Sequence, residues 1–192
     1  MAHTSTPTVR LLDGVDVPAA GRWRIDPGHA DLGFVGRHLV FNKVRGRFRS
    51  FEGHVDIASD PLQSVVDVTI DVASVDSGDA ARDDHLRSGD LFDVERFPTA
   101  TFRGRPNRWS GSTGTVVGEL TLKGVTRPVE LEVAAVGVVT DPWGGERAVF
   151  SASGTVNRHD WGITWNMPLA GGGLLVSREI NLEIEVEAVL DR

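Results

Sequence analysis

The chain contains no cysteine. Disulfides, thiolate metal sites and cysteine nucleophiles are therefore excluded. Positive charge is also short, since 20 Lys and Arg face 27 Asp and Glu for a net charge of −7. Neutralising phosphates takes clustered basic residues, so nucleic acid is not an expected partner. The same balance disfavours docking on anionic lipid through charge. Long hydrophobic runs are missing too. Val9 to Val17 is interrupted by Arg10, Asp13, Gly14 and Asp16, and no basic stretch leads into an apolar one between Met1 and Pro18. Neither a signal peptide nor a membrane-spanning segment is read there, and the cytoplasm is the expected location.

The motifs of common catalytic and metal chemistry are absent as well. The histidines are His3, His29, His38, His54, His85 and His159, and none stands four residues from another with a Glu between. His29 and Asp31 share a face of a possible strand, which is a weak signal, so no metal is expected. No Gly-x-Ser-x-Gly occurs, and Ser151 and Ser153 sit in an alternating strand context. Gly171-Gly172-Gly173 lacks a following Lys-Ser/Thr and precedes a strand, so it reads as a flexible loop rather than a phosphate cradle. No cofactor is expected.

What is present is a period of two. With 192 residues and 40% hydrophobic content, the chain can build one sizeable core. Residues 1–20 read as a flexible leader, and 21–192 as one domain. Ile180, Leu182, Ile184, Val186 and Ala188 alternate with Asn181, Glu183, Glu185 and Glu187. Val129, Leu131 and Val133 alternate with glutamates, and Val66, Val68, Ile70 and Val72 with Asp67, Thr69 and Asp71. Such strands belong to antiparallel sheets with one greasy face.

Lys123-Gly124 marks a hairpin turn, and Asp141-Pro142-Trp143-Gly144-Gly145 marks a second. Further strands are read at Trp23–Ile25, Leu32–Phe41 and Val44–Ile57. The last switches parity near Arg49-Ser50, as at a β-bulge. Ser77 to Gly89 reads as one short helix capped by Ser77 or Asp79, supported by Asp83 and Arg87, and ended by Gly89. It is too polar for a core and is expected to cover one end of the sheet structure as a lid. The sum is all-β, about eight strands and one helix, with periodicity alone leaving a sandwich and a closed barrel both open.

Two polar clusters stand among apolar residues. Arg37-His38 lies inside an apolar strand, and Asn157-Arg158-His159-Asp160 stands beside Trp161 and Trp165. A charge among aromatics either grips a polar head group or forms a buried salt bridge, for Arg158 with Asp26 or Asp160.

An ordered series of motifs then identifies a resemblance. It runs from Trp23-Arg-Ile-Asp26-Pro-Gly-His29 through Phe34, Arg37-His38-Leu39, Val44-Arg-Gly46-Arg-Phe48 and Phe51-Glu-Gly53. It continues with Arg82-Asp-Asp-His85-Leu86-Arg87-Ser88, Asp90-Leu-Phe92-Asp93-Val-Glu95, Phe97-Pro98 and Phe102. Leu120-Thr-Leu-Lys123-Gly124-Val-Thr126 and Asn157-Arg158-His-Asp160-Trp161-Gly162 complete it. From about residue 22 onward the chain resembles the YceI-like, polyisoprenoid-binding family. Two departures stand out. Ala30 replaces a usual Ser, removing a hydroxyl, and Trp161 replaces a usual Phe, adding bulk that would shorten a cavity or shift its floor.

The resemblance implies a lipocalin-like antiparallel β-barrel with a hollow interior. The implied partner is a long-chain isoprenoid or fatty-chain small molecule, such as a polyisoprenoid, an isoprenoid-tailed pyrophosphate or a quinone-like lipid. Phe34, Phe48, Phe51 and Phe92, with Phe97, Phe102, Trp161 and Trp165, are expected to line or close the tunnel. Arg37, His38, His85 and Arg158 are expected to meet the head group or hold the lid. The expected role is a carrier and not an enzyme. The alternatives are catalysis on a lipid-like substrate by His38 or His85, and a ligand-free interaction module, with a homodimer left open.

Overall fold

Alternation demands a cover for the greasy face. A sheet whose strands each bury every second residue must cover that face, and here it does so by closing on itself. The computed structural model describes residues 8–39, 41–142, 144–170 and 172–191. Residues 1–7 of the expected leader lie outside the described residues, as do Val40 of the expected Leu32–Phe41 strand, Trp143 and Gly171 of the two expected loops, and Arg192.

In chain order the strands are β1 (Val9–Leu12), β2 (Val15–Pro18), β3 (Gly21–His38), β4 (Asn42–Phe48), β5 (Phe51–Ile57) and β6 (Val65–Asp71). After β7 (Val75–Asp76) come helix α1 (Ala80–Arg87), β8 (Thr99–Ser110), β9 (Thr113–Leu122), β10 (Val125–Thr140), β11 (Glu146–Asn157) and β12 (Glu179–Leu190). Eight of them, β3, β5, β6, β8, β9, β10, β11 and β12, form a closed antiparallel ring. The ring shuts where β12 pairs with β3, placing Leu190 opposite Trp23 and Leu182 opposite Phe34. β4 extends the β5 stave along the far half of β3, and β7 pairs with β4.

The parity switch near Arg49-Ser50 is a break between two strands that share one partner. β5 ends its pairing with β3 at His54 opposite Arg24, whereas β4 resumes with Phe48 opposite Leu32. A second irregularity shifts the β3–β12 register between Val186 and Ala188, opposite Asp26 to His29. Bulges of this kind let a sheet turn a corner. Asp26 fixes this one. Its carboxylate accepts from the Gly28 amide at 3.0 Å and meets His29 Nδ1 at 3.0 Å and Arg147 Nη1 at 2.6 Å. Arg147 also reaches Asp141 and Glu187.

Lys123 and Gly124 both take positive φ and turn β9 into β10, as expected. Helix α1 starts on Asp79, whose side chain accepts from the Arg82 amide, and Ser88 rather than Gly89 ends it. Asp83 does not pair with Arg87, which meets Asp84 instead. The buried Asp83 carboxylate holds Ser77, accepting from its amide and hydroxyl.

The N-terminal segment departs from expectation. Residues 9–18 are a β-hairpin, β1 with β2, turned by Asp13-Gly14 and forming a two-stranded sheet of its own. Val17 and Ala19 are buried, and the fully buried Trp23 donates its indole N–H to the Ala19 carbonyl at 3.0 Å.

The Arg147 guanidinium holds the Asp26 carboxyl well below the usual carboxylate range, at about 2. Its stabilisation is therefore complete above the unfolded value of about 4 and is lost as pH falls towards about 2. Asp26→Asn should flatten the acid limb of the stability curve over that window. Solvent screening holds its cost at neutral pH to about 1 kcal/mol, measured by urea unfolding.

Candidate functional site

The inward residues of the ring leave a void. Two apolar clusters fill the barrel near its ends. One centres on Trp23, Ile25, Phe51 and Ala148, the other on Val75, Phe92, Trp161 and Ile163, with Ile70 and Ile184 packed against both. Between and alongside them runs a cavity of about 540 Å³ whose walls are almost wholly carbon. Its lining includes Leu12 and Val17 of the hairpin and, at the other extreme, His85 and Leu86 of α1. The cavity therefore spans the barrel from hairpin to helix, and α1 sits over one end as expected.

Aromatic packing shapes the helix end. Phe34 of β3, Phe48 of β4 and Phe92 after α1 form a triangle with ring centroids 5.6, 6.5 and 5.7 Å apart. Phe34 stands opposite Gly46 across the β3–β4 ladder, and a Cβ on Gly46 would strike the Phe34 ring. Phe102 of β8 lies against Gly118 in the same way, its ring 2.5 Å from the position of a Cβ. Small residues opposite large ones let a tapered interior keep its rings without filling its centre.

Most of the expected residues do border the cavity. Phe34, Phe48, Phe92, Phe102, Trp161 and Trp165 line it, and so do Arg37, His38, His85 and Arg158. Two do not. Phe51 is buried in the apolar cluster around Trp23 and shows no face to the void. Phe97 lies outside the barrel, under the Arg96 guanidinium at 5.1 Å and against Gly124 of the β9–β10 turn. Both were expected from aromatic character, which does not distinguish a core ring from a cavity wall.

The polar groups gather at the helix end. Arg158 opens a 3₁₀ turn, Arg158–Trp161, closed by Gly162 in the left-handed region at φ 71°. It forms no ion pair with Asp26 or Asp160 among the described residues; Asp26 is held by Arg147. Its Nε donates to the Ser177 carbonyl at 2.9 Å and its Nη1 to the Ile163 carbonyl at 2.7 Å. Among the described residues Nη2 is buried with no hydrogen-bond partner, and only 6% of Arg158 is exposed. Burial, and then Arg178 nearby, push the guanidinium below its ordinary value. His159 is lowered as well, by burial first and then by Arg158 and Arg178.

On the α1 side of the cavity wall the His85 ring stands edge-on to Trp165 with centroids 4.4 Å apart, and its Nε2 is 3.4 Å from Asp90. Trp161 donates its indole N–H to the Leu120 carbonyl at 3.0 Å. His38 bridges to Val176, and the Arg37 amide donates to Ser177 Oγ at 2.9 Å. The 163–178 segment is thereby strapped over the end of β3, behind the cavity mouth. Arg37 itself is exposed at the rim.

Sequence reasoning missed the opposite end. Leu12 and Val17 of the hairpin line the cavity there, as does Trp109 of β8. A bulge between Pro106 and Arg108 moves Trp109 out of parity with Ala100 and Phe102. Among the described residues, no helix is long and apolar enough to cross a membrane.

Comparison with known proteins agrees with this geometry. The YceI-like domain family matches residues 23–188. A Pseudomonas aeruginosa protein described as a UPF0312 protein is 39% identical over 162 residues, 84% of this chain and 82% of its own length. Protein YceI of Salmonella newport is 39% identical over 173 residues, 88% of this chain and 87% of its own. Among solved structures, the Campylobacter jejuni YCEI protein aligns with TM-score 0.67 and 30% identity, covering 81% of this chain and 90% of that one. A polyisoprenoid binding domain from Saccharophagus degradans aligns with TM-score 0.64 and 17% identity, covering 88% and 98%, and shows the same fold.

Because Gly46 leaves the space that the Phe34 ring occupies, Gly46→Val should displace that ring into the cavity. The expected cost is about 1–3 kcal/mol, measured by chemical denaturation.

Proposed function

The chain belongs to the YceI-like family, and from that premise we propose that it binds and carries a long apolar ligand, with a prenyl or fatty chain in the barrel and a polar head at the helix end. A polyisoprenoid, an isoprenoid-tailed pyrophosphate or a quinone-like lipid fits this description. One observation carries the reading: an apolar cavity through the barrel ends beside a buried guanidinium with an unpartnered N–H. The walls reward chain burial at about 0.8 kcal/mol per methylene, without choosing between chains. A buried cation short of an acceptor rewards an oxygen, best a charged one, at one end. Arg158 is the head-group residue, His85 and Trp165 close the mouth, and Arg37 and His38 stand along its rim.

A carrier is preferred to a catalyst because the polar groups do not form a reacting set. Ser64, Ser77 and Ser151 stand on the cavity wall; Ser77 is engaged by Asp83 and Arg82, and Ser64 accepts from the Ala58 amide. Among the described residues none of the three is hydrogen-bonded to a histidine.

Organic extraction of the purified protein followed by mass spectrometry should recover a prenyl or fatty-chain lipid. Failure to recover one, together with failure to take up an added prenyl diphosphate or quinone, would sink the proposal. Arg158→Met should weaken binding of geranylgeranyl diphosphate at least about tenfold while leaving geranylgeraniol within about twofold. Equal losses for both ligands in isothermal titration would remove Arg158 from the head-group role.

A further inference from the structure

We infer that the N-terminal hairpin is the floor of the cavity and sets the length of chain the barrel accepts, which is a chain of three or four isoprene units. The inference rests on the carrier reading above. The hairpin, residues 9–18, precedes the segment matched by the YceI-like family, which begins at residue 23. It shares no ladder with the barrel, yet its inward side chains are part of the cavity wall. Leu12, Val17 and Pro18 line the cavity together with Arg10, and Trp109 and Pro61 border the same void. Strand ends alone would leave this end of the ring open.

The floor is held in place by specific bonds. Arg10 Nη1 donates to the Ser59 carbonyl at 2.6 Å, after the end of β5. The Gly111 amide, in the β8–β9 turn, donates to the Asp13 carboxylate at 3.0 Å. The Ala19 amide donates to the Thr8 carbonyl at 2.8 Å, and Trp23 holds the Ala19 carbonyl from below. The hairpin is thus tied to two separate turns of the barrel and to the base of β3. Val17 is 4% exposed, so its contact with the interior is closed to water.

The other end of the ligand is fixed by the head-group site, so the distance from Arg158 to Leu12 and Val17 becomes a gauge. At roughly 30 Å³ for each water-sized group, 540 Å³ is room for about eighteen groups. That matches the carbons of three to four isoprene units. A chain of nine units must leave most of its length in water and loses the burial that drives binding.

The test uses delipidated wild-type protein and two variants, Leu12→Trp and the double change Leu12→Ala with Val17→Ala. Each is offered geraniol, farnesol, geranylgeraniol, geranylfarnesol and solanesol in turn, and the prenol retained through gel filtration is measured by mass spectrometry. Circular dichroism and the melting transition confirm that each chain is folded. Wild type should retain farnesol or geranylgeraniol best, and solanesol at least about tenfold less. Leu12→Trp raises the floor and should shift the preferred chain down by about one isoprene unit. The double variant lowers it and should shift the preference up. Leu12 is only half-buried, so the tryptophan variant decides the matter even where the double variant does not fold. Binding with one length profile in all folded variants overturns the gauge and leaves the carrier reading standing. Retention of no prenol by wild type overturns both.

Discussion

Closing the sheet requires the first long strand to find the last, and the other features of the molecule depend on that ladder. Trp23 faces Leu190 across it, so nearly the whole chain is threaded before the ring can shut. Contacts so distant in sequence are costly in loop entropy and slow to form. The ladder also fails to run straight. A register shift at Asp26 to His29 bends β3, and the interruption between β4 and β5 bends its other neighbour. The Arg147 guanidinium ties the first of these corners to the β10–β11 turn and to β12 through Asp26, Asp141 and Glu187. A charge cluster at the rim thereby holds a geometry that the apolar interior alone leaves free.

Closure creates the second constraint, which is geometric. An eight-stranded ring is wide enough that side chains only just meet across it. Where large residues face one another, as Phe34, Phe48 and Phe92 do, the interior fills. Where the Phe34 and Phe102 rings fold onto Gly46 and Gly118, and where the wall carries Ala100 and Ala152, the centre stays open. The hollow is therefore written in the pairing of large with small residues across ladders, not in overall hydrophobicity. Trp161 shows the same economy. Its bulk is turned into the apolar cluster beside Phe92, and its one polar atom is spent on the Leu120 carbonyl.

This explains which parts were legible in the sequence. β12, β10 and β6 alternate cleanly because each has one wet face, and their inward residues are the ones read from period two. Lys123-Gly124 announced its turn. Asp13-Gly14 carries the same signal, with both residues at positive φ, but its flanking strands are four residues each and resemble a leader. Trp109 was hidden by a bulge that changes parity inside one strand. Phe51 and Phe97 were misplaced because alternation assigns a residue to a face and says nothing of what lies opposite. The partners of Arg158 are carbonyls of Ile163 and Ser177, and no side-chain pattern encodes a backbone acceptor.

The two ends of the cavity differ in a way that gives the barrel a direction. At the hairpin end Leu12 and Val17 supply aliphatic surface, and Arg10 borders the cavity beside them, with Nη1 bonded to the Ser59 carbonyl and Nε buried without a partner among the described residues. At the helix end a guanidinium is withdrawn from water and lacks one acceptor. Burying such a group costs free energy unless something returns the missing bond. Its two carbonyl partners recover part of that cost by holding the 163–178 strap, so the charge is retained even when nothing else meets it. What remains uncompensated there is a preference for an oxygen. Chain burial is indifferent to orientation, since each methylene gains the same wherever it lies. The unpartnered N–H is not indifferent. Under the carrier reading, the walls supply the affinity and Arg158, more deeply buried than Arg10 at the other end, supplies the orientation, head towards α1 and tail towards the hairpin.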